Sequence, residues 1–434
     1  MPSTFLGLNT GLSGLNFYQA NMHTTAHNIS NADVKGYCRQ TVLSQAADAL
    51  RVNNAYGMMG TGVKATGITQ LRNIYYDTKY HAAQSQHSEY AGAKEQLTQL
   101  QSYLNEMQSE TGYTKLLSEL SSALQDLSSS PADATYRTQF IKSAQNFTDL
   151  IKETGTNYRN TQQDINNEVA IHVDSINSIA SQIYTLNQQI MNIETRSGSA
   201  NDLRDQRELL VDQLSELVNV TVTETPIKYG FGADAVESGA SRYEVRIGNT
   251  VLVDEMECKQ LKVVARQEKV NQNDIDGLYD VYWEGLNQTI GEKFNFNSEN
   301  VTGRIKGLLE VRDGNNANPF SGTITSMATG TGNGSTASVH LSKAISIDQL
   351  NLPESGIITL NCKEYYYDSW EATKDAKGNL TSFIFKNLTV QDETGRRVPA
   401  TFDVATDVGK EAIVGERVDC KGIPYYMTQL NEFA

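Results

Sequence analysis

The chain has 434 residues, of which 39% are hydrophobic, and a formal net charge of −15. That charge argues against nucleic acid, which selects basic patches, and against anionic membrane surfaces. No apolar run approaches the ~20 residues needed to span a bilayer, and the N-terminus lacks the basic region, apolar block and cleavage site of a secretory signal peptide. The length admits about two to four domains. The four cysteines, Cys38, Cys258, Cys362 and Cys420, are scattered with no CxxC or metal-type spacing. They read as isolated thiols, with a Cys362–Cys420 disulfide left open.

Residues 1–35 predict a helix. Phe5, Leu8, Leu12, Leu15, Gln19, Met22, Ala26 and Ile29 step by 3, 4, 3, 4, 3, 4 and 3. This is a narrow seam of period 3.5 that asks for a partner helix, either from the far end of the chain or from a neighbouring subunit. An amphipathic helix docked on a globular domain is the alternative. Asn28, Ser30 and Asn31 suit a helix end, because Asn bonds nearby backbone and tolerates left-handed conformations. Gly36 then permits a bend. Residues 36–75 read as an extended Gly/Asn-rich linker.

Residues 76–217 predict a long helical rod. One segment carries Tyr90, Leu97, Leu100, Leu104 and Met107; Gly112 interrupts it; Leu117, Leu120, Leu124 and Leu127 resume. Ser128-Ser129-Ser130-Pro131 breaks the pattern, with Pro131 expected in the first turn of the next helix. From Phe140 to Ile193 a heptad-like course implies a helix of about 60 residues, or ~90 Å. Residues 218–300 switch to period 2, with Val218, Val220 and Val222, then Tyr243, Val245 and Ile247 before the Gly248-Asn249 turn, and predict a small β domain. Residues 301–314 return to a helical pattern. Residues 315–421 read as a β domain inserted into one helix-to-helix connection, with a Gly/Thr/Ser-rich loop at Thr329–Ser338 and strand-like runs between Ile357 and Val404. Residues 422–434 begin a returning helix that stops at Ala434 without a cap, so the chain is expected to be truncated. The fold class is mainly α with β domains: an elongated coiled-coil or helical-bundle rod carrying a small β domain and a second, inserted one.

Chemistry is sparse. His23 and His27 have a two-ligand spacing, but Thr24-Thr25-Ala26 between them lack the glutamate of a His-Glu-x-x-His site. Gly330-Thr331-Gly332-Asn333-Gly334-Ser335 has neither a preceding strand nor a following Gly-Lys-Ser/Thr, so it reads as a loop rather than a phosphate cradle. No Gly-x-Ser-x-Gly elbow occurs. The Tyr365-Tyr366-Tyr367-Asp368-Ser369-Trp370 cluster is a strand with one buried aromatic face before it is a sugar-stacking platform. No enzyme activity, cofactor or metal is expected.

Three stretches carry a family resemblance. Asn28-Ile29-Ser30-Asn31-Ala32 with Gly36-Tyr37-Cys38-Arg39-Gln40, and Gly60-Thr61-Gly62-Val63 with Gly67-Ile68 and Leu71-Arg72, resemble the axial proteins of the bacterial flagellum: rod, hook and hook-associated proteins. Asn201-Asp202-Leu203-Arg204-Asp205-Gln206-Arg207 after a long coiled coil narrows this to the hook-associated proteins at the hook–filament junction. Tyr243-Glu244-Val245-Arg246-Ile247-Gly248-Asn249 is similar to them as well. The resemblance implies a structural protein of the extracellular flagellum, exported without a cleaved signal peptide. Implied partners are copies of itself, hook protein, the next hook-associated protein toward the filament, and an export chaperone that binds a C-terminal region beyond Ala434. It implies subunit contacts at Leu8, Leu12, Leu15, Met22, Ile29, Asn28, Asn31, Gly36, Tyr37 and Arg39. The alternatives are a surface adhesin or glycan-binding module in the inserted β domain, and another axial protein of hook or rod type.

Overall fold

A computed structural model describes residues 5–51, 57–104, 112–196, 198–229, 236–285, 289–298, 300–330, 334–391 and 396–433. The chain divides into two compact units, residues 1–86 with 175–260, and residues 87–174 with 261–434. Helices and strands are both abundant, in agreement with the mixed content expected from the sequence. Met107, residues 331–333 of the Gly-rich loop and Ala434 lie outside the described residues.

In the first unit, helix α1 (Leu6–Ser30) leads into strand β1 (Gln40–Ala46). After the short pair β2 (Leu50–Arg51) and β3 (Met58–Met59), strand β4 (Val63–Gln70) returns antiparallel to β1 with a register shift between Leu43 and Ser44. Helix α2 (Ile74–Ser102) begins here. The unit also takes residues 175–194 of a later helix, then helix α5 (Asn201–Leu217) and an antiparallel sheet of β5 (Val220–Tyr229), β6 (Val236–Ile247) and β7 (Thr250–Val253). Its buried residues are apolar: Ile176, Ile183, Ile190, Val211, Leu214, Val245, Ile247 and Leu252 are all at most 2% exposed. The predicted turn is present, with Gly248 at φ +56° between β6 and β7.

In the second unit, α3 (Tyr113–Ser129) precedes α4 (Ala134–Glu194), which contributes residues 134–174. Tyr158, Ile165 and Val169 are buried on the expected heptad course. Pro131 does not open α4. It sits in the turn before the helix, where Asp133 Oδ1 accepts the Thr135 N–H at 2.7 Å and takes the capping role. A second three-stranded sheet holds β8 (Leu261–Ala265), β9 (Tyr279–Glu284) and β10 (Ile290–Lys293). Residues 218–300, read from the sequence as one β domain, therefore carry two separate sheets, and the unit boundary falls at 260/261. The short connection Asp254–Gln260 gave no signal of that division, because both sheets share the same period of 2.

Helix α6 (Arg304–Asp313) is followed by an all-β segment. Its strands are β11 (Phe320–Ala328), β12 (Ser335–Ile345), β13 (Gly356–Leu360), β14 (Lys363–Tyr367), β15 (Ser369–Lys374), β16 (Leu380–Gln391), β17 (Arg397–Pro399) and β18 (Glu411–Val414), with a short helix α7 (Val404–Asp407) before β18. Pairing runs β12–β11–β18–β13–β14–β16, and β12–β16 pairing closes the ring into a barrel. Phe320, Val339, Ile358, Tyr367, Phe383 and Phe385 fill it. Ser335–Ser338, expected in the loop, belong to β12, where alternate residues are buried. Val404, expected in a strand, begins α7. The chain ends of this segment meet: Asn315 and Lys421 form a β-bridge, and the Gly422 N–H donates to Gly314 O at 3.2 Å. Helix α8 (Ile423–Phe433) follows and buries Met427 and Leu430.

Candidate assembly site

Helix α1 contains no Asp, Glu, Lys or Arg from Leu6 to Ser30. Its seam lies open: Leu8, Leu12, Leu15, Met22 and Ile29 are 69%, 52%, 56%, 72% and 72% exposed. Thr24 is the one buried residue of this helix. An apolar seam without charged neighbours loses solvation free energy in water, and covering it with another apolar surface recovers that loss.

The C-terminal end of α1 is tied down by polar bonds instead. Asn28 imitates a strand neighbour of Gln40: its Nδ2 donates to Gln40 O and its Oδ1 accepts the Gln40 N–H, both at 2.9 Å. Tyr37 donates its hydroxyl to the same Oδ1 at 2.8 Å. Asn31 ends the helix, with its side chain donating to His27 O at 3.0 Å and its own carbonyl accepting the Val34 N–H at 3.0 Å. Gly36 has φ +84°, and a Cβ there would stand 3.2 Å from Leu209 Cβ. The left-handed backbone favours glycine, and a side chain there would press on Leu209. Arg39 keeps its side chain exposed, while its carbonyl accepts the Leu71 N–H at 2.9 Å. Asn28, Asn31, Gly36 and Tyr37 thus build the turn within the chain, whereas the leucines, Met22 and Ile29 face outward.

One turn of α5 receives this linker. Asp202 Oδ1 accepts Gln40 Nε2 at 2.9 Å and faces His27 Nε2 at 3.4 Å. Asp205 accepts the Cys38 N–H at 3.2 Å on one oxygen and Gln70 Nε2 at 2.8 Å on the other. Asn201 donates to Ile68 O at 3.1 Å. The carboxylates sit three residues apart and so share a face of the helix. Burial pushes the Asp205 carboxyl up, and Asp202 and Glu208 add to this against the opposing Cys38 N–H and Arg72.

Behind that face lies a cleft of about 630 Å³ walled by β4, the start of α2, α5 and the β5–β6 strands. Its arginines are all engaged. Arg204 holds Glu194 through two bonds of 2.6 and 2.9 Å and Glu224 at 2.9 Å, which raise its pKa against the opposing effect of burial. Arg72 pairs with Asp77 at 2.7 Å and Glu208 at 3.4 Å. Arg207, 2% exposed, stacks 3.4 Å over the Tyr243 ring, whose hydroxyl donates to Glu208 at 2.9 Å. Burial and Glu208 push the Tyr243 phenol well above its ordinary range. The cleft wall is thus a set of paired charges, with Arg207 Nε buried without a hydrogen-bond partner. Among the described residues no group of three or more His, Cys, Asp and Glu side chains could hold a metal ion.

Sequence reading singled out Asn201–Arg207 and Gln40 only through a resemblance, without joining them, and missed Gln70. Gln70 and Asp205 are 135 residues apart, so no local pattern could join them. His27 is engaged by Asp202 and Asn31, and His23 is exposed. Tyr365 and Tyr367 are 3% and 1% exposed inside the barrel, so their ring faces are closed to a sugar. Among the described residues no helix is long and apolar enough to cross a membrane.

Residues 8–37, α1 and its turn, match the family model of the flagella basal body rod protein, a likeness to flagellar proteins. Residues 97–334 match the model of the flagellar hook-associated protein FlgK helical domain, and with more than half of its length matched the chain belongs to the FlgK family. Flagellar hook-associated protein 1 of Bacillus subtilis (strain 168) is 31% identical over 250 residues, covering 56% of this chain and 49% of the relative. The protein of the same description from Escherichia coli (strain K12) is 32% identical over 219 residues, covering 50% of this chain and 39% of the relative. The chain thus spans half or less of the length of these curated relatives. A solved structure of the flagellar hook junction protein FlgK from Burkholderia pseudomallei has a TM-score of 0.48 at 18% identity, covering 80% of this chain and 64% of that one.

Proposed function

We propose that this chain is a structural component of the bacterial flagellum that joins hook to filament, and that it assembles through α1. The observation that carries this reading is the pairing of an open, uncharged seam with a polar hub: α1 offers Leu8, Leu12, Leu15, Met22 and Ile29 outward while Asp202 and Asp205 hold its base. A helix held on one side by β1 and β4, with an uncharged seam open on the other, is built to be covered by other subunits. Membership of the FlgK family, and relatives described as hook-associated protein 1, support the junction role over a hook or rod role. The partners are copies of this chain, hook protein, the next hook-associated protein and an export chaperone. The site of action is the extracellular flagellum, reached without a cleaved signal peptide, and the role is mechanical rather than catalytic. No observation favours an adhesin in the barrel.

The test is Leu15→Asp in cells. Leu15 is 56% exposed, so the variant chain should fold. A carboxylate in the covered seam would be desolvated without a partner. The variant should be absent from hook tips by immunogold labelling, and cells should lack filaments. Normal filaments and motility in that strain would overturn the reading.

A further inference from the structure

The connection between β8 and β9 is longer than its task requires. Two antiparallel neighbours are usually joined by about 2–5 residues, whereas residues 266–278 lie between these strands. The extra length is held between α4 and the barrel. On the helix side Gln162 of α4, 1% exposed, takes it at two points. Its Nε2 donates to Asp274 Oδ1 at 2.9 Å, and its Oε1 accepts the Ile275 N–H at 3.1 Å. Asn166, one turn further along α4, accepts the Tyr279 N–H at 2.7 Å. On the barrel side Asn271, 1% exposed, offers its Oδ1 to Asn351 Nδ2 at 2.9 Å and to Asn315 Nδ2 at 3.4 Å. Asn351 answers by accepting the Gln272 N–H at 2.9 Å. The two sides are joined within the segment, where Asp274 Oδ2 accepts the N–H and the Nδ2 of Asn271 at 2.9 and 3.2 Å. Polar bonds therefore run without a break from α4 through Gln162, Asp274, Asn271 and Asn351 into the barrel.

The barrel is shaped to receive this segment. A Cβ at Gly356 would stand 3.3 Å from the Lys269 carbonyl oxygen, and one at Gly415, where φ is +89°, 3.1 Å from that of Val270. The covalent attachment of the barrel is a narrow neck by comparison. Gly314 and Gly422 touch there, so that a Cβ on Gly314 would be 2.7 Å from the Gly422 nitrogen. Glycine tolerates many backbone angles, so a neck with a glycine on each strand can bend. Further ties are the partly exposed ion pairs Lys293–Glu416 and Arg397–Glu268, which hold weakly, and the contact of Ile347–Gln349 with α8.

We infer that residues 266–278 are a strap that fixes the direction of the barrel on helix α4, with the Asn271–Asn351 pairing as its latch. Closed, the latch makes barrel and helix one body. Open, it lets the barrel swing on the Gly314/Gly422 neck while both stay folded. A buried amide is costly to leave unpaired, so the closed state dominates and defines a single angle. The strap does not depend on the junction role. In an assembly of identical copies it would present every barrel at the same angle.

Double electron–electron resonance on the full chain tests this, with spin labels on noncanonical residues at two exposed positions, Asp164 of α4 and Lys377 between β15 and β16. The unsubstituted strap should give one narrow distance distribution. Asn271→Ala removes the acceptor of both barrel amides and should broaden it about twofold or more. Asn351→Ala opens the same latch from the barrel side, at a half-buried position, and should broaden it to the same extent. The double variant should broaden it no further, because both changes cut one tie. Hydrogen-exchange protection in α4, β12 and β16 should stay as it is without the substitutions. A broad distribution with the strap intact would overturn the proposal. An unchanged width in either folded single variant would also overturn it and assign the direction to the neck and α8. Loss of protection in β12 and β16 would overturn it too, since Asn271 would then belong to the fold of the barrel and not to its mooring.

Discussion

Arg207 is a cation at 2% exposure whose best partner is an aromatic face. Its Nη1 donates to Asn187 Oδ1 at 3.1 Å, and Glu208 stands 3.9 Å from Nη2. Stacking needs the planar guanidinium, which lysine lacks. Arg207→Ala should destabilise the first unit by about 3 kcal/mol and Arg207→Lys should recover less than half of that. Hydrogen exchange at residues 201–217 and 243–253 reads the effect; equal protection in Lys and wild-type chains would show that the stack carries nothing. In the second unit Asp313 lies between Arg266 and Arg312, each 2.8 Å from its Oδ2. Burial alone would raise its pKa, but the two guanidinium groups outweigh that and hold the carboxyl well below the usual range. A depressed folded pKa contributes stability that is complete above the unfolded value of about 4 and is lost as pH falls through the folded one. Asp313→Asn should therefore be less stable than wild type at neutral pH, with the gap narrowing as the solution is acidified. Urea titrations at pH 7 and at pH 3 check the sign; a gap that widens in acid would contradict it.

Close approach between elements rests on a few small residues. Helices α2 and α6 touch where Gly307 faces the Glu89 carbonyl, and a Cβ at 307 would stand 2.2 Å from that oxygen. Lys306, next to it, lies 3.8 Å from Glu89 and 3.9 Å from Glu310. Gly307→Ala should push the helices apart and cost about 1–3 kcal/mol, the usual price of overpacking. Gly36→Ala works differently. Its φ of +84° and the 3.2 Å approach to Leu209 should tilt the turn after α1 while leaving α5 folded. The expected readout is a changed distance between spin labels on α1 and α5 with unaltered protection in α5. An unchanged distance would mean that the Asp202 and Asp205 bonds alone set the angle.

For the molecule as a whole the barrel is the separable part. Its ends meet at the Asn315–Lys421 bridge, and among the described residues β16 pairs with β12, β14, β15 and β17, all strands of this segment. Insertions are tolerated where the inserted ends lie close together. Replacing residues 315–421 by a short Gly/Ser linker should preserve helical circular dichroism and allow filaments to form in cells. The deletion does remove some ties, including Lys293–Glu416 at 2.9 Å and Arg397–Glu268 at 2.7 Å, both partly exposed ion pairs of small worth. Loss of protection at α6 and α8 would mean instead that the barrel braces the helices around it.

What the sequence determined by itself is what local periodicity can carry. The 3–4 spacing of α1, the long helical period of α4 and the Gly248 turn are each written in a few neighbouring residues. The Asn-rich helix end and the Asn201–Arg207 run were legible as motifs, but their partnership was not. Tertiary structure alone decided that Gln40 and Gln70 would meet Asp202 and Asp205, that the strands from 220 to 293 would separate into two sheets, and that β12 would close on β16. The physical reason is that hydrogen-bond partners across more than a hundred residues are chosen by which chain segments the cores bring together. A Gln or an Asp offers the same donors and acceptors wherever it stands.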